Sequence, residues 1–195
     1  MQRRATPPIY AAEREFTVNI MPMQADPLLL KMLAKAEAEQ LDGHVLVDLS
    51  ISAKTQSFVL GLHDRRKTRS LFQATPEQAF THIAPHLIAW SALCATERDQ
   101  LIDLDQRVPA LSWLWSTQEG TVTLYRHLKA QLDMRLPDGA LALLRYYDPT
   151  VWRRLMNLLT AEQITALMGP VHYWSVRLDC RRQLFDRQGN LTCLS

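Results

Sequence analysis

The sequence has few glycines and lacks the glycine motifs of several enzyme classes. Its six glycines, at positions 43, 61, 120, 139, 169 and 189, are all isolated. Neither G-x-G-x-x-G nor G-x-x-x-x-G-K can therefore be written, which excludes these two phosphate-binding loops. The G-x-S-x-G turn that carries the nucleophile of α/β-hydrolases is missing as well. No motif in the chain gives positive support for an enzyme.

Cysteines are also scarce, and long apolar segments are absent. Cys94, Cys180 and Cys193 are an odd number and lie far apart, so we expect free thiols in a reducing compartment rather than a disulfide framework. No apolar run approaches the roughly 20 residues that a membrane span needs. Residues 1–4 lead into a proline-containing segment and not into the apolar core of a signal peptide. These features predict a cytoplasmic protein that does not associate with membranes.

What is present is the composition of one globular domain. The chain has 195 residues, of which 47% are hydrophobic and 22% charged, enough for a core without metal or disulfide support. The net charge is only +2. Two basic clusters, Arg65-Arg66-Lys67-x-Arg69 and Arg181-Arg182, could contact phosphate, but no aromatic platform or recognition helix accompanies them. Solvated loops are favoured, and a nucleic-acid-binding module centred on residues 65–69 remains an alternative.

Helix and strand patterns alternate from residue 26 onward. Asp26 and Pro27 mark the start of a helix that reaches Leu41. Residues 50–66 suit either element and lean towards a helix. Further helices are predicted after Thr75, Thr96, Gly120, Asp148 and Thr160, strands at 44–49, 86–90, 110–116, 141–147 and 171–178, and a hairpin through 187–190. This order predicts a mixed α/β (α+β) fold, a single compact lobe with helices packed on a mixed sheet. We divide the chain into an N-terminal arm (1–25), the domain (26–178) and a short C-terminal hairpin or tail (179–195).

Residues with catalytic or metal-binding chemistry are scattered. His82 and His86 have the i, i+4 spacing of a metal-binding helix, but Pro85 lies between them and the glutamate of the zinc-protease motif is missing. We expect no metal and no cofactor. A small hydrolase or transferase that uses Cys94 or a histidine remains an alternative, and it rests on residue type alone.

One segment gathers charged and aromatic residues, and its sequence is Arg145-Tyr146-Tyr147-Asp148-Pro149, followed later by Gly169-Pro170 and Trp174. Asp148 can accept hydrogen bonds from the first amides of the next helix, and Pro149 sets the entry into that helix. A strand-to-helix corner and a helix stop explain most of these residue types. They do not explain the accumulation of Arg, Tyr and Trp, which often anchor protein interfaces.

We therefore hypothesise a partner-binding group that consists of Arg145, Tyr146, Tyr147, Asp148 and Trp174. In this hypothesis Tyr147 and Asp148 brace the corner, whereas Arg145 and Trp174 reach the partner. Structural roles are assigned to Pro149, Gly169 and Pro170.

The same residues resemble the Arg-aromatic-Tyr-Asp-Pro and Gly-Pro signature of the type VI secretion adaptor domain, the Tap/TEC family of effector chaperones. Segments 45–48, 70–72, 84–87 and 128–139 resemble further parts of that family in the same order, so the resemblance covers about residues 44–178. It implies a helix after Ser50 and a non-enzymatic adaptor. Such a protein binds a toxic effector in the cytoplasm and helps load it onto the spike tip protein, the valine-glycine repeat protein. The longer family members have a C-terminal helical lobe, which is expected here to be absent or reduced to 179–195.

Overall fold

A six-stranded sheet forms the centre of this computed structural model, which describes residues 26–117, 120–136 and 138–192. The N-terminal arm expected at 1–25 lies outside these residues. The strands are β1 (Asp42–Asp48), β2 (Thr68–Ser70), β3 (Pro85–Ala89), β4 (Leu111–Ser116), β5 (Asp133–Arg135), β6 (Leu141–Leu143), β7 (Val171–Leu178) and β8 (Arg181–Asp186). The helices are α1 (Pro27–Ala38), α2 (Ala53–Asp64), α3 (Ala95–Arg107), α4 (Thr121–Ala130), α5 (Pro149–Leu158) and α6 (Ala161–Met168), with 3-10 turns at Pro76–Ile83 and Trp90–Ala92.

The strand order in the sheet is β2-β3-β1-β4-β7-β8, and every pairing is antiparallel. The predicted α+β class and the single compact lobe are confirmed. The pairing differs from the mixed sheet that we expected. Alternation of helices and strands sets the lengths of the connections, but it does not determine which strand becomes the neighbour of which or in what direction it runs.

Helices cover both faces of the sheet. Val45 and Val47 of β1 point to one face, where they pack with residues of α1, α2 and α3. Leu46, between them, points to the other face and packs with residues of α4 and α6 and with Trp152 of α5. Because both faces are buried, the central strands read as nearly continuous apolar runs instead of alternating patterns.

Local capping signals locate most helix starts correctly. The predicted caps of α1, α5 and α6 all accept hydrogen bonds from first-turn amides, and they are Asp26, Asp148 and Thr160. Helix α3 begins earlier than predicted, since Cys94 and not Thr96 is its cap. The reason is Glu97, whose carboxylate accepts a hydrogen bond from the Cys94 backbone N–H at 2.8 Å.

Two predicted β elements are placed differently in the structure. The strand expected at 141–147 is confined to Leu141–Leu143, which pairs with β5 in a separate two-stranded sheet. The turn between β7 and β8 lies at Asp179 and Cys180, whose φ angles are +51° and +59°. Residues 181–186, expected in a C-terminal hairpin or tail, thus form the edge strand of the main sheet. The turn at 187–190 follows β8 and returns Leu191 to a single bridge with Phe185. Within the described ranges, no helix is both long and apolar enough to cross a bilayer.

Candidate partner-binding site

Arg145 lies at the end of the sheet where β1 ends and α5 begins. Its Nη2 donates to Asp48 Oδ2 at 2.9 Å and to Ser50 Oγ at 3.1 Å. The same nitrogen is 3.7 Å from Asp148 Oδ2. The side chain is 43% exposed. Arg145 therefore links the end of β1 to the start of α5, although about 100 residues separate them in the chain. Part of the Arg145 side chain still faces solvent.

Asp48 is the buried partner of this arginine, with only 1% of its side chain exposed. Its Oδ1 accepts hydrogen bonds from the Ser50 backbone N–H at 2.9 Å and from the Ser50 hydroxyl at 2.7 Å. A buried charge is tolerated only when it is paired and hydrogen-bonded. Arg145 supplies the positive charge, so the arginine of the motif has a structural role in addition to any contact with a partner. Our sequence-based set of site residues missed Asp48.

The two tyrosines brace the corner from inside. Tyr146 is fully buried, and its hydroxyl donates to the Leu128 carbonyl at 2.6 Å. Tyr147 is nearly buried, packs edge-on against Phe72, and lies beneath the Arg145 guanidinium at 5.8 Å. Burial, with a smaller contribution from the Asp48 carboxylate, raises the pKa of Tyr147 to about 12. Neither ring is available to a partner in this conformation.

Trp174 corrects part of our hypothesis, because it is fully buried and cannot reach a partner at the surface. Its ring stacks on Trp152 of α5 with centroids 3.7 Å apart, and it forms a T-shaped contact with the Tyr146 ring, with centroids 6.0 Å apart. Trp174 lies on β7, an interior strand that β4 and β8 flank. A large aromatic residue at such a position fills the core under α5.

The remaining motif residues shape the ends of helices. Asp148 accepts from the Thr150 backbone N–H at 2.8 Å, and Pro149 is the buried first residue of α5. Gly169 ends α6 with φ +53°, and Pro170 follows it just before β7. A Cβ at Gly169 would lie 2.3 Å from Cε1 of His127, so the close packing of this ring also requires glycine.

Three exposed apolar side chains lie at the same end of the sheet as Arg145. Ile51 directly follows Ser50, and Ile83 precedes Pro85, the residue that pairs with Asp48 in the sheet. Phe80 is 54% exposed on the 3-10 turn that contains Ile83. We call Arg145, Ile51, Phe80 and Ile83 together the Arg145 surface. Contiguous exposed apolar patches that polar residues surround are typical of protein-binding surfaces.

The basic cluster at residues 65–69 is largely engaged within the protein. Arg65 Nη1 lies 2.8 Å from Glu97 Oε1, and Lys67 Nζ lies 2.6 Å from Glu97 Oε2. The hydrogen bond from Lys67 lowers the pKa of Glu97 to about 2. The Arg69 guanidinium lies over the Tyr125 ring at 5.6 Å. Because these charges already have partners, the geometry adds no support to the nucleic-acid alternative.

The residues considered for catalysis or metal binding do not converge either. Cys94 is exposed, and its contacts with Glu97 are those of a helix cap. His82 is exposed on the 3-10 turn, whereas His86 is fully buried in β3 with Nδ1 3.0 Å from Thr68 Oγ1. The helical spacing assumed for this pair does not exist, since Pro85 opens a strand. The described residues contain no group of three or more His, Cys, Asp or Glu that could hold a metal ion.

Comparison with protein families gives one match. A family model described as "Domain of unknown function (DUF4123)" matches residues 44–166, and this domain is known in type VI secretion adaptors. The matched segment includes Asp48, Arg145 and Asp148, whereas Gly169, Pro170 and Trp174 lie beyond its end. No curated protein and no solved structure matches the chain. Because the match takes in more than half of the sequence, the protein belongs to the DUF4123 family.

Proposed function

We propose that this protein is a non-enzymatic adaptor and chaperone of a type VI secretion system. It binds an effector toxin in the cytoplasm and promotes the loading of that toxin onto the spike tip protein. Membership of the DUF4123 family is the observation that carries this proposal, since the domain is associated with type VI effector adaptors.

The Arg145 surface is our candidate for the effector-binding site. Its three apolar side chains would bury area against a partner, and the half-exposed guanidinium can donate to a carboxylate or carbonyl of that partner. The surface stands on a rigid base, because Asp48, Ser50 and Asp148 hold the guanidinium. Little ordering is then required on binding, which limits the entropic cost.

Co-purification tests the function. The tagged protein is expressed with the genes adjacent to its own, and the bound proteins are identified and quantified. We expect an effector or a spike protein in stoichiometric amount. Recovery of neither from cells that express both would contradict the adaptor function.

A matched pair of variants tests the surface. Phe80→Asp places a charge on the Arg145 surface, and Leu158→Asp makes the same type of change at the exposed end of α5. Both residues are exposed, so both variants are expected to fold with stability changes of about 0.5 kcal/mol or less. We expect at least a tenfold loss of effector binding for Phe80→Asp and none for Leu158→Asp. Equal binding by the two variants would exclude this surface while leaving the adaptor function intact.

A further inference from the structure

A polar cavity of about 350 Å³ lies at the end of the sheet opposite the Arg145 surface, where β4 ends and β7 begins. Four segments bring hydrogen-bonding side chains to its wall: the end of β4, helix α4, the start of β7 and the turn after β8. These side chains are Thr117, Thr123, His127, His172 and Arg187, and we call the space between them the His172 cavity. Among the described residues that line it, none is an aspartate or a glutamate.

Arg187 supplies a positive charge that forms no ion pair in the described part of the chain. Arg187 is exposed, and its Nη2 donates to the Gly169 carbonyl at 3.1 Å. The carboxylate of the preceding residue, Asp186, accepts instead from the backbone N–H groups of Gln188 and Asn190 at 2.9 Å each. A guanidinium has five N–H donors. The bond to Gly169 therefore holds the Arg187 side chain at the cavity and leaves further donors for a ligand.

His172 reaches the cavity because the backbone bulges at this point. Val171 and Tyr173 pair with consecutive residues of β4, Ser116 and Trp115, so His172 is an extra residue without a counterpart. The residue is half-buried. No hydrogen bond to a described residue occupies its ring nitrogens, and neither nitrogen is among the buried unpartnered atoms. A ligand in the cavity can therefore contact the imidazole.

His127 of α4 is fixed on the other side of Gly169. Its Nε2 lies 2.8 Å from the Leu167 carbonyl oxygen, to which it donates because a carbonyl can only accept. Its Nδ1 would lie 2.7 Å from a Cβ at Gly169, the residue whose carbonyl holds Arg187. Bond lengths then place Nδ1 of His127 less than about 10 Å from Nη2 of Arg187. Two donors on opposite sides of one phosphate group are about 8 Å apart, since each lies about 2.8 Å from an oxygen.

A phosphate group matches the charge and the arrangement of these side chains. Arginine donates to two phosphate oxygens at once, and an imidazole donates from both nitrogens when it is protonated. A phosphate presents oxygens in four directions, which suits donors that arrive from separate segments, whereas a carboxylate presents two oxygens in one plane. The volume lies at the lower end of the range of ligand pockets, about 300–1,000 Å³. The cavity therefore has room for a phosphate and a small organic group attached to it.

We propose that the His172 cavity binds a phosphate group, either as free phosphate or as the phosphate monoester of a small molecule. The proposal rests on the convergence of Arg187, His127 and His172 and on the donors that they leave open. It does not depend on the adaptor function.

The first test is a titration of the full chain with inorganic phosphate at neutral pH and constant ionic strength, followed by the ¹H–¹³C resonances of the histidine rings. All solutions are adjusted to the same pH, and sodium chloride serves as the blank. The His127 and His172 resonances are each identified by their loss in the corresponding glutamine variant. We expect both to shift with one Kd of about 1 mM. Acetate, with a single charge and two oxygens, should bind at least about fivefold more weakly.

The source of the phosphate is distinguished with glycerol 3-phosphate, which repeats the titration for a monoester. Binding at least as tight as that of inorganic phosphate would assign the cavity to phosphate monoesters. Weaker binding would assign it to free phosphate.

Variants then test the residues. Arg187→Gln removes the guanidinium from an exposed position, so the variant is expected to fold and to bind phosphate at least about fivefold more weakly. His172→Gln should weaken binding in the same direction. Arg181→Gln makes the same change in net charge at the opposite end of β8, outside the cavity, and should bind like the wild type.

Four results would overturn the proposal. They are a His172 resonance that moves no more in about 20 mM phosphate than in the sodium chloride blank, equal binding of acetate, unchanged binding by Arg187→Gln, and an equal loss of binding in Arg187→Gln and Arg181→Gln.

Discussion

Replacement of Arg145 by methionine should destabilise the fold, because the buried Asp48 carboxylate would lose its counter-charge. Two unit charges about 4 Å apart attract by about 4 kcal/mol at an effective dielectric of about 20. Ordering the flexible arginine offsets up to about 2 kcal/mol of that attraction. Since 43% of the Arg145 side chain is exposed, solvent screening keeps the remainder from exceeding about 2 kcal/mol. We therefore expect Arg145→Met to lower the free energy of unfolding by about 2 kcal/mol.

A double-mutant cycle isolates the contribution of the pair. Asp48→Asn removes the charge but retains an oxygen that can accept the hydrogen bonds of Ser50. The coupling free energy between Arg145→Met and Asp48→Asn is expected to be about 1–3 kcal/mol. Arg153→Met is the matched control, because Arg153 pairs with Asp179, which is 82% exposed, and such surface pairs contribute less than about 1 kcal/mol.

Urea denaturation at neutral pH, followed by tryptophan fluorescence, measures all four members of the cycle and the control. A loss of about 2 kcal/mol corresponds to a decrease in Tm of about 4–8 °C for a chain of this length. The reasoning is refuted if the coupling is below about 0.5 kcal/mol, or if Arg145→Met is no more destabilising than Arg153→Met.

Three further predictions concern single residues of the fold. Burial, with His63 as a second cause, lowers the pKa of His86 from 6.5 to about 4. Protonation then favours the unfolded chain, so the stabilisation should be fully present above pH 6.5, and the free energy of unfolding should fall by about 2 kcal/mol on acidification to pH 5. His86→Gln should flatten this pH dependence in denaturation curves. Trp174→Ala should lower the free energy of unfolding by about 3–5 kcal/mol. Because the ring is buried, the fraction of this variant that folds should bind the proposed partner with an unchanged Kd, measured by calorimetry. Gly169→Ala should lower the free energy of unfolding by at least about 2 kcal/mol, because Gly169 has a positive φ and its Cβ would meet the His127 ring. Gly61 of α2 has open space around it, so Gly61→Ala should raise the free energy of unfolding by up to about 1 kcal/mol. Thermal unfolding measures both variants.

The sequence predicted helix starts well because capping is a local interaction. Asp26, Asp148 and Thr160 each contact amides two or three residues away, so the signal lies within a few positions of the chain. The pairing of strands was not predictable in the same way. β7, for example, pairs with β4 across more than fifty residues, and nothing in either segment specifies the direction of its neighbour. The fold class was therefore accessible, while the antiparallel topology was not.

The candidate site shows the same division between local and distant information. The sequence singled out Arg145 because it stands in an unusual local cluster, but Asp48, its partner, is 97 positions away. A carboxylate that ends a buried apolar strand was the one available signal, since such a group must find a positive charge or solvent. Residue type alone misassigned Trp174 to a surface, because aromatic residues anchor interfaces and cores equally well. Only its position on an interior strand beneath α5 distinguishes the two roles.

Burial distinguishes the residues that stabilise the fold from the residues that are exposed to a partner, two roles that the sequence alone does not distinguish. Tyr146, Tyr147 and Trp174 are inaccessible to a partner, so substitutions there should act through the amount of folded protein. Ile51 and Phe80 lie outside the motif and are exposed. Substitutions there should therefore change the affinity for a partner and leave the amount of folded protein unchanged. An arginine that both neutralises Asp48 and faces solvent belongs to both groups. Under the proposed adaptor function, a loss of effector loading in an Arg145 variant is therefore interpretable only together with its unfolding free energy, whereas a loss in Phe80→Asp would report on binding directly.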